Sequence, residues 1–251
     1  MQELLGDVWP ILGAVVLIGI LAWAWWTKKQ ERDRIRSAAE ARGWSYRPSD
    51  RSLTRRFEGR PFRYGRRGRT PLSGQARVDH RTTAVHVLEG EHRGRPLLAF
   101  EYRYRTERPS GTARRTSSGS RRRERVQVTE KHQIVVLGLH QPMPPFFLER
   151  RGLFGKAAQA VGVGPEAIGD PEFDERFVVG GVLADQAQEI LTRDVRTWLL
   201  QEERADRCPV RVEGDGLLTH SRAELTVGRV AKAADFLAEL LDRIEPAERR
   251  P

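Results

Sequence analysis

The sequence predicts an α+β protein in which one apolar N-terminal helix precedes a soluble domain. Three observations favour this class. The run Val8–Thr27 contains no charged side chain. Between Leu98 and Arg105 large apolar residues occupy every second position, as in a strand with one buried face, and apolar residues recur at helical spacing from Val230 to Ile244. The domain is therefore expected to be rich in β-hairpins in its first half and to mix helices with hairpins in its second half.

The charge-free run has the length of a transmembrane helix. Val8–Thr27 holds 20 residues, and about 20 apolar residues are needed to cross the hydrocarbon core of a bilayer. Tryptophans stand at both ends of the run, where indole rings favour the headgroup level. A secretory signal would begin with basic residues and end at a small-residue cleavage site, and neither pattern is present. The residues expected at the membrane interface are Trp9, Trp23, Trp25, Trp26, Lys28, Lys29 and Arg32.

The residues that flank the run predict its orientation. Residues 1–7 include no lysine or arginine, whereas five basic side chains follow between Lys28 and Arg36. Basic residues remain on the cytoplasmic side of a membrane. We therefore expect a single-pass protein of the cell membrane, with residues 1–7 outside the cell and the domain in the cytoplasm. The single cysteine, Cys208, fits a reducing compartment and is expected to be a small buried thiol rather than a nucleophile.

Charge is distributed unevenly along the chain. The net charge is +10, and arginine greatly outnumbers lysine among the 44 basic residues, which is typical of a GC-rich bacterial genome. The segment Lys28–Arg69 holds fifteen basic and five acidic residues, while Val161–Pro251 holds twelve basic and nineteen acidic ones. The protein is therefore expected to be cationic near the membrane and acidic at its far end.

A basic juxtamembrane helix is predicted to follow the run. Residues 28–43 are mostly good helix formers without proline, and Gly43 is suited to a helix C-cap. The charges of this helix are mixed, which indicates a solvated stalk near the headgroups.

A β-rich subdomain is predicted over residues 44–150. The segments Arg55–Gly65 and Val87–Arg105 each place two short apolar stretches on either side of a glycine, which predicts two β-hairpins. In the second hairpin we expect the turn at Gly90. His132–Leu139 is a nearly continuous apolar stretch and predicts a further strand that is buried more deeply.

An arginine-rich segment interrupts these predicted strands. Residues 106–125 have no apolar period and are expected to form a disordered loop. An arginine near an anionic leaflet gains about 1 kcal/mol, so we expect contact with anionic lipid or phosphate. A solvated tether and a nucleic-acid contact are alternatives, although the loop has no aromatic side chain on which bases could stack. Thr116 and Ser117 follow two arginines, as in a basophilic kinase target, and their phosphorylation would weaken lipid contact. The arginines concerned are Arg114, Arg115, Arg121, Arg122, Arg123 and Arg125.

The C-terminal part, residues 151–251, is predicted to form an α+β subdomain. Apolar spacing and turn residues indicate its elements in order. They are a short helix over Leu153–Val161, a strand from Phe173 to Val179, a helix over Ala184–Leu191, a second helix capped by Thr192, a hairpin over Pro209–Ser221 and a closing helix from Val230 to Ile244.

The elements around Phe173–Asp174, Phe177–Val179 and Ala184–Leu191, together with Trp198–Leu199, resemble a bacterial domain of unknown function. That domain shares an aromatic–acidic pair, an F-V strand, an alanine-rich helix that ends in I/L-L-T, and a following hairpin. It occurs in membrane-anchored proteins. With the apolar run and the strand GRPLLAFEYRY, the whole layout resembles an uncharacterised single-pass membrane protein of actinobacterial type. The resemblance implies location and fold, and it implies no catalytic residues.

Few residues form a pattern that could carry chemistry. His80, His86 and His92 recur at intervals of six, but strand spacing separates neighbours by about 20 Å, so no metal site is expected. Asp170 and Asp174 lie in the acidic stretch GDPEFDE, which could hold a divalent cation but is expected to be a solvated turn. The chain contains no phosphate-binding loop, G-x-S-x-G or H-E-x-x-H motif. We therefore expect neither a cofactor nor a catalytic set.

These observations predict a membrane-tethered cytoplasmic domain that acts as a non-catalytic interaction or scaffold module. Its basic face would lie against anionic lipid, and it would have a protein partner that the sequence does not identify. Two alternatives are an enzyme with an acidic site around Asp170 and Asp174, and a membrane-proximal nucleic-acid binder.

Overall fold

The structure, a computed structural model, describes the chain in five stretches. Their backbones cover residues 8–57, 61–62, 79–115, 121–151 and 167–245. Side chains are described in the same stretches except at 8–15, 79–81, 107–115 and 121–125. The predicted external segment 1–7, the predicted helix Leu153–Val161, and Thr116 and Ser117 lie outside the described residues.

Six α-helices occur in the described residues. They are α1 (Val8–Glu40), α2 (Leu53–Arg56), α3 (Pro171–Arg176), α4 (Ala184–Ile190), α5 (Arg193–Gln201) and α6 (Val227–Ile244). The last three confirm helices that the sequence predicts, and Thr192 occupies the N-cap position of α5. Gly43 adopts a φ of +75° in the turn after α1, the left-handed conformation that favours glycine beyond a helix end.

Among the described residues, eight strands form one antiparallel sheet. They are β1 (Ser45–Ser49), β2 (Asp79–His92), β3 (Arg95–Arg115), β4 (Arg121–Gly138), β5 (Phe147–Arg150), β6 (Phe177–Gly180), β7 (Val210–Glu213) and β8 (Gly216–Ser221). The order across the sheet is β1-β2-β3-β4-β8-β7-β5-β6. An antiparallel sheet with helices concentrated late in the chain is an α+β fold, as predicted.

Strands from both halves of the chain share this sheet. Residues Gln133–Gly138 of β4 pair with Gly216–Ser221 of β8. Most residues of both segments are buried, and pairing them satisfies backbone groups that have little access to water. Strands from both predicted subdomains, 44–150 and 151–251, therefore belong to one sheet.

The hairpin between β2 and β3 turns at Arg93 and Gly94. Both residues have positive φ, 51° and 76°, as a type I′ turn requires. The turn predicted at Gly90 is wrong, because Gly90 lies inside β2 opposite Leu97. Gly90 is needed there for another reason, because an added Cβ would lie 2.8 Å from the Trp44 ring.

Both faces of the central strands are covered. On one face a main cluster includes Ala99 and Leu137 together with the apolar side of α6, and on the other a second cluster surrounds Phe100. The prediction that the second face of Leu98–Arg105 is exposed to solvent is therefore wrong, because Ala99 and Glu101 are both buried. A period of two identifies a strand but does not reveal that its second face is covered by helices.

Two predicted elements have a different secondary structure. The first half of the predicted hairpin Arg55–Gly65 contains the end of helix α2, and Phe57 packs in the second cluster. Phe173 lies in helix α3, so the strand begins only at Phe177. The reason for the second difference is local, because Asp170 caps α3 and a proline occupies its first turn.

Residues 106–115 and 121–125, which the sequence predicts to be part of a disordered loop, lie instead in strands β3 and β4. Strand β3 continues to Arg115 and β4 begins at Arg121, and the two pair with each other along this whole stretch, while residues 116–120 lie outside the described residues. A register shift between Pro109 and Ala113 interrupts the ladder once. The strands extend because backbone hydrogen bonds continue a hairpin ladder without an apolar period in the side chains.

The predicted span Val8–Thr27 lies within helix α1, and its first eight side chains are outside the described residues. In the described part of the chain, no helix combines the length and the apolar character that crossing a bilayer requires. The helix continues without a break to Glu40. Its last turns are not a solvated stalk, because Ile35 and Ala39 are buried in the main cluster.

Candidate functional site

Helix α1 exposes a continuous set of large apolar side chains. Trp23 and Trp25 are 67% and 66% exposed, although large aromatic rings are normally buried or half-buried in a folded protein. Contiguous exposed apolar surface marks a site of contact with a protein or a membrane. The exposed members of this set, called the apolar surface of α1 below, are Val16, Leu17, Ile18, Ile20, Leu21, Trp23, Trp25 and Trp26.

Basic residues follow directly after the apolar surface of α1. Lys28, Lys29 and Arg32 are exposed, and Lys29 Nζ lies 5.4 Å from the centroid of the Trp25 ring. A cation over an indole face gains about 0.5–1 kcal/mol at an exposed site. Aromatic rings beside exposed cations match the chemical order of a bilayer boundary, where headgroup phosphates lie next to the acyl region.

The C-terminal end of α1 is fixed to the sheet. The Trp44 indole Nε1–H donates to the carbonyl of Glu91 at 3.0 Å, and the guanidinium of Arg36 lies 5.5 Å from the centroid of the Tyr46 ring. The Tyr46 hydroxyl in turn lies 3.0 Å from His86 Nδ1. Because α1 is one uninterrupted helix, these contacts couple the exposed apolar surface to the folded domain.

The β3–β4 hairpin extends past the other strands of the sheet. The pair Asp79–Arg105 ends the contact of β2 with β3, and the pair Gln133–Ser221 ends the contact of β8 with β4. Residues 106–115 and 121–128 therefore pair only with each other among the described residues. Ten residues of extended strand reach about 30 Å. This two-stranded extension is called the arginine arm below.

Arginines occupy directly opposed positions in the arginine arm. Arg114 pairs with Arg122, and Arg115 pairs with Arg121. Opposed residues in an antiparallel pair lie on the same face of the ladder. The sequence predicted these residues to contact lipid or phosphate, and the register brings together four of the six; the fifth and sixth, Arg123 and Arg125, lie opposite Ala113 and Pro109.

Asp170 and Asp174 hold the local structure together. Asp170 Oδ1 accepts the N–H of Phe173 at 3.3 Å, and its Oδ2 accepts Arg196 Nε at 2.9 Å. The hydrogen bond from Arg196 is the main reason why the pKa of Asp170 lies below its ordinary value. The carboxylate of Asp174 accepts the N–H groups of Ile168 and Gly169, each at 3.0 Å. Both acids thus accept hydrogen bonds from groups within the chain itself.

The side chains of His86, His92 and Cys208 are also engaged within the fold. His86 is buried and bonded to Tyr46, and burial lowers its pKa. His92 Nε2 lies 3.0 Å from Asp235 Oδ1, and the side chain of His80 is outside the described residues. Burial raises the pKa of Cys208, which disfavours the nucleophilic thiolate. Among the described residues, no group of three histidines, cysteines or acids could hold a metal ion.

Arg95 and Glu245 form a buried ion pair that the sequence does not predict. Arg95 is only 1% exposed, and its Nη2 lies 2.9 Å from Glu245 Oε2. Arg95 follows the β2–β3 turn and Glu245 follows helix α6, so 150 positions of sequence separate them. No local pattern predicts such a pair. The only available signal was an arginine at the start of a strand with an apolar pattern, where a charge is unexpected.

Comparisons with known proteins identify no family. No protein-family model matches the chain, and no curated protein matches it. Among solved structures, the chain is similar to the crystal structure of the mycobacterial trehalose monomycolate transport factor A, TtfA, with 17% sequence identity and a TM-score of 0.49. The similarity covers 85% of this chain and 95% of that chain. At this level the similarity carries no argument about function, and membership of a bacterial membrane-anchored family stays a prediction.

Proposed function

We propose that this protein is a membrane-tethered, non-catalytic interaction module. The apolar surface of α1 enters a bilayer, and the folded domain stands at the cytoplasmic face. The observation that carries the proposal is the exposure of three tryptophans and five aliphatic side chains on one helix. Transfer of such surface from water gains about 25 cal/mol per Å², and no described part of the domain covers it.

We further propose that α1 crosses the membrane once. This topology depends on Val8 to Val15, whose side chains lie outside the described residues, so its support comes from the sequence. The absence of basic residues at 1–7 and their abundance after Thr27 support an N-terminus outside the cell. The continuous helix from Val8 to Glu40 supports a direct link between the embedded segment and the domain.

The arginine arm is the proposed basic surface of the module. Four of its arginines occupy paired backbone positions, and each arginine near an anionic leaflet contributes about 1 kcal/mol. We propose that anionic lipid is the partner of the arm, and that the protein partner meets the remaining surface of the domain.

Alkaline extraction tests the attachment of α1. Cell membranes that contain the full chain are washed at high salt and then at high pH, which removes peripheral proteins. The chain is expected to stay with the membranes. Leu17→Arg combined with Leu21→Arg should release it, because each arginine within an apolar helix costs about 3 kcal/mol in a bilayer. The matched control is Arg207→Glu combined with Lys232→Glu, two exposed positions on the domain. Release of the unaltered chain by the high-pH wash would overturn the proposal.

Trypsin cleavage tests the arginine arm. The full chain is placed in nanodiscs of phosphatidylcholine alone or with phosphatidylserine. Anionic lipid should slow cleavage within 106–125 at low salt, and this protection should disappear at high salt because the contact is electrostatic. Cleavage after the exposed Arg207 serves as the control. Equal rates in both nanodiscs would contradict a lipid contact, and protection by an oligonucleotide alone would assign the arm to nucleic acid.

A further inference from the structure

The direction of α1 relative to the sheet follows from contacts with β1 and β2. Just after α1, the Trp44 indole donates to the carbonyl of Glu91, close to the turn between β2 and β3. Arg36, two turns earlier in the chain, lies over the ring of Tyr46, which pairs with Leu88. Going back along α1 therefore leads away from the β2–β3 turn, and the apolar surface of α1 points towards the opposite end of the sheet.

The arginine arm leaves the sheet at that same opposite end. Strand β3 begins at Arg95 beside the β2–β3 turn, and the residues after Arg105 form one strand of the arm. The arm and the apolar surface of α1 therefore project from one end of the domain, which is called the arm end below. The end that carries the β2–β3 turn is called the far end.

The basic residues after the apolar surface of α1 lie near the level at which the arm begins. Leu88 pairs with Ala99, so Ala99 lies at the level where Arg36 contacts the sheet. Lys28 precedes Arg36 by about 12 Å along the helix axis, and Arg103 follows Ala99 by about 13 Å along its strand. If Lys28 lies among lipid headgroups, the base of the arm is therefore expected to lie among them as well.

The loop between β8 and α6 also belongs to the arm end. Arg222 Nη2 lies 2.7 Å from Glu130 Oε2, and Lys131 Nζ lies 2.7 Å from Glu224 Oε1. These two pairs hold the loop beside the part of β4 that leads into the arm. Arg222, Glu224 and Arg229 are all exposed, so cations outnumber acids on this surface.

The arm is expected to lie along the bilayer and not within it. An arginine at the centre of a bilayer costs about 3 kcal/mol or more, which excludes the arm from the hydrocarbon. Neighbouring strands of a sheet are rotated by roughly 20–25°, so β3 and β4 diverge from the edge strand β1 and from α1 beside it. This divergence allows the arm to follow the headgroup layer while α1 enters the bilayer.

We propose that the domain meets an anionic bilayer with its arm end, so that the arm and the β8–α6 loop contact headgroup phosphates and the far end faces away from the lipid. The inference rests on the proposed attachment of α1 and adds the orientation of the domain. Because α1 is one continuous helix that is fixed to β1 and β2, the anchor determines which end of the sheet approaches the membrane.

Quenching by a lipid that carries a nitroxide on its headgroup tests this orientation. Single cysteines are introduced into the full chain with Cys208→Ser, labelled with a fluorophore and placed in nanodiscs of phosphatidylcholine and phosphatidylserine. Thr129→Cys and Gly228→Cys report on the arm end, and an added Cβ at Gly228 meets no atom within 4 Å. Glu91→Cys and Asp215→Cys report on the far end. All four positions are exposed, so the labels are expected to leave the fold intact.

Quenching is expected to be severalfold stronger at the two arm-end positions than at the two far-end positions. Equal quenching at both ends, or stronger quenching at the far end, would overturn the proposed orientation. A label at Thr27→Cys, at the end of the apolar surface of α1, separates this result from a failure of the anchor. Strong quenching there confirms that α1 is attached, whereas its absence would overturn the attachment itself and the orientation with it.

Discussion

The hydroxyl of Tyr46 lies 3.0 Å from Nδ1 of His86, and this contact joins β1 to the irregular part of β2. His86 has a φ of 53°, a conformation that side chains other than glycine adopt rarely and at a cost. The ring of Tyr46 also lies beneath Arg36 of α1. One tyrosine therefore connects the N-terminal helix, the edge strand and a strained position of the sheet.

Tyr46→Phe tests this connection. The variant keeps the ring beneath Arg36 and removes only the hydrogen bond to His86, so the free energy of unfolding should fall by about 1 kcal/mol. Chemical denaturation of the full chain in detergent measures the change. Ser45→Ala is the neighbouring control, since it removes an exposed hydroxyl that donates to Glu89. An equal or smaller loss in Tyr46→Phe than in Ser45→Ala would contradict the role of Tyr46.

The pKa of His86 should make stability depend on pH in a definite direction. Burial lowers this pKa below its ordinary value of 6.5, so the unfolded chain takes up a proton at a higher pH than the folded chain does. The stability that neutral His86 contributes is complete above about pH 6.5 and decreases as the pH falls below that value. His132 contributes with the same sign, because burial lowers its pKa as well.

Denaturation curves between pH 7.5 and pH 5 check this dependence. The stability advantage of the unaltered chain over His86→Gln should shrink steadily as the pH decreases. His140→Gln, at an exposed histidine, should follow the unaltered chain in parallel. An advantage that stayed constant or grew on acidification would show that His86 is not held neutral by burial.

The ion pair between Arg95 and Glu245 should matter most when only one partner is removed. Glu245→Ala leaves the buried guanidinium of Arg95 with the more distant carboxylate of Asp242, at 3.6 Å, and we expect a loss of about 3 kcal/mol. Arg95→Met combined with Glu245→Leu should recover much of this loss, because both charges are then absent. Glu224→Gln, which breaks the exposed pair with Lys131, should cost less than about 1 kcal/mol. If Glu245→Ala lost no more unfolding free energy than Glu224→Gln, the result would contradict a buried, mutually dependent pair.

Asp170 is expected to act on stability alone. Asp170→Asn keeps a side chain that can cap α3 and loses the ion pair with Arg196, so a loss of about 1 kcal/mol is expected at pH 7. The pKa of Asp170 is lowered, chiefly by its hydrogen bond from Arg196. This contribution is therefore present above the unfolded pKa, near 4, and disappears as the pH falls through the lower folded value. A difference between the two chains that persisted at pH 2 would contradict this explanation.

The elements that the sequence predicted correctly are determined by turn residues and apolar spacing within short segments. Gly43 ends the turn after α1 because its φ is positive, and the apolar stripe of α6 is buried along its length. The hairpin β7–β8 follows from a Gly-Asp-Gly turn between two short apolar stretches. Each of these patterns is contained within a few turns of helix or one hairpin, so neighbouring residues are sufficient to determine it.

The features that were wrong or absent in the sequence analysis depend on distant contacts. Glu101 alternates like an exposed strand residue, yet it is buried and accepts the N–H of Leu225 at 2.8 Å. The arginine arm extends because β3 and β4 are held together at their base by pairs such as Phe100–Ile134. The ion pair of Arg95 with Glu245 requires two segments that approach only in the folded chain. Periodicity within one segment contains no information about such partners.

The location of a reporter fused after Pro251 in intact cells tests most directly whether α1 holds the domain at the cytoplasmic face of the membrane. The reporter is a phosphatase that is active only outside the cytoplasm, compared with a fluorescent protein that matures only inside it. If α1 anchors a cytoplasmic domain, the cells should show membrane-bound fluorescence and no phosphatase activity. Phosphatase activity, or a fluorescent chain that stays in the soluble fraction after cell lysis, would contradict a cytoplasmic domain held by α1 in the membrane.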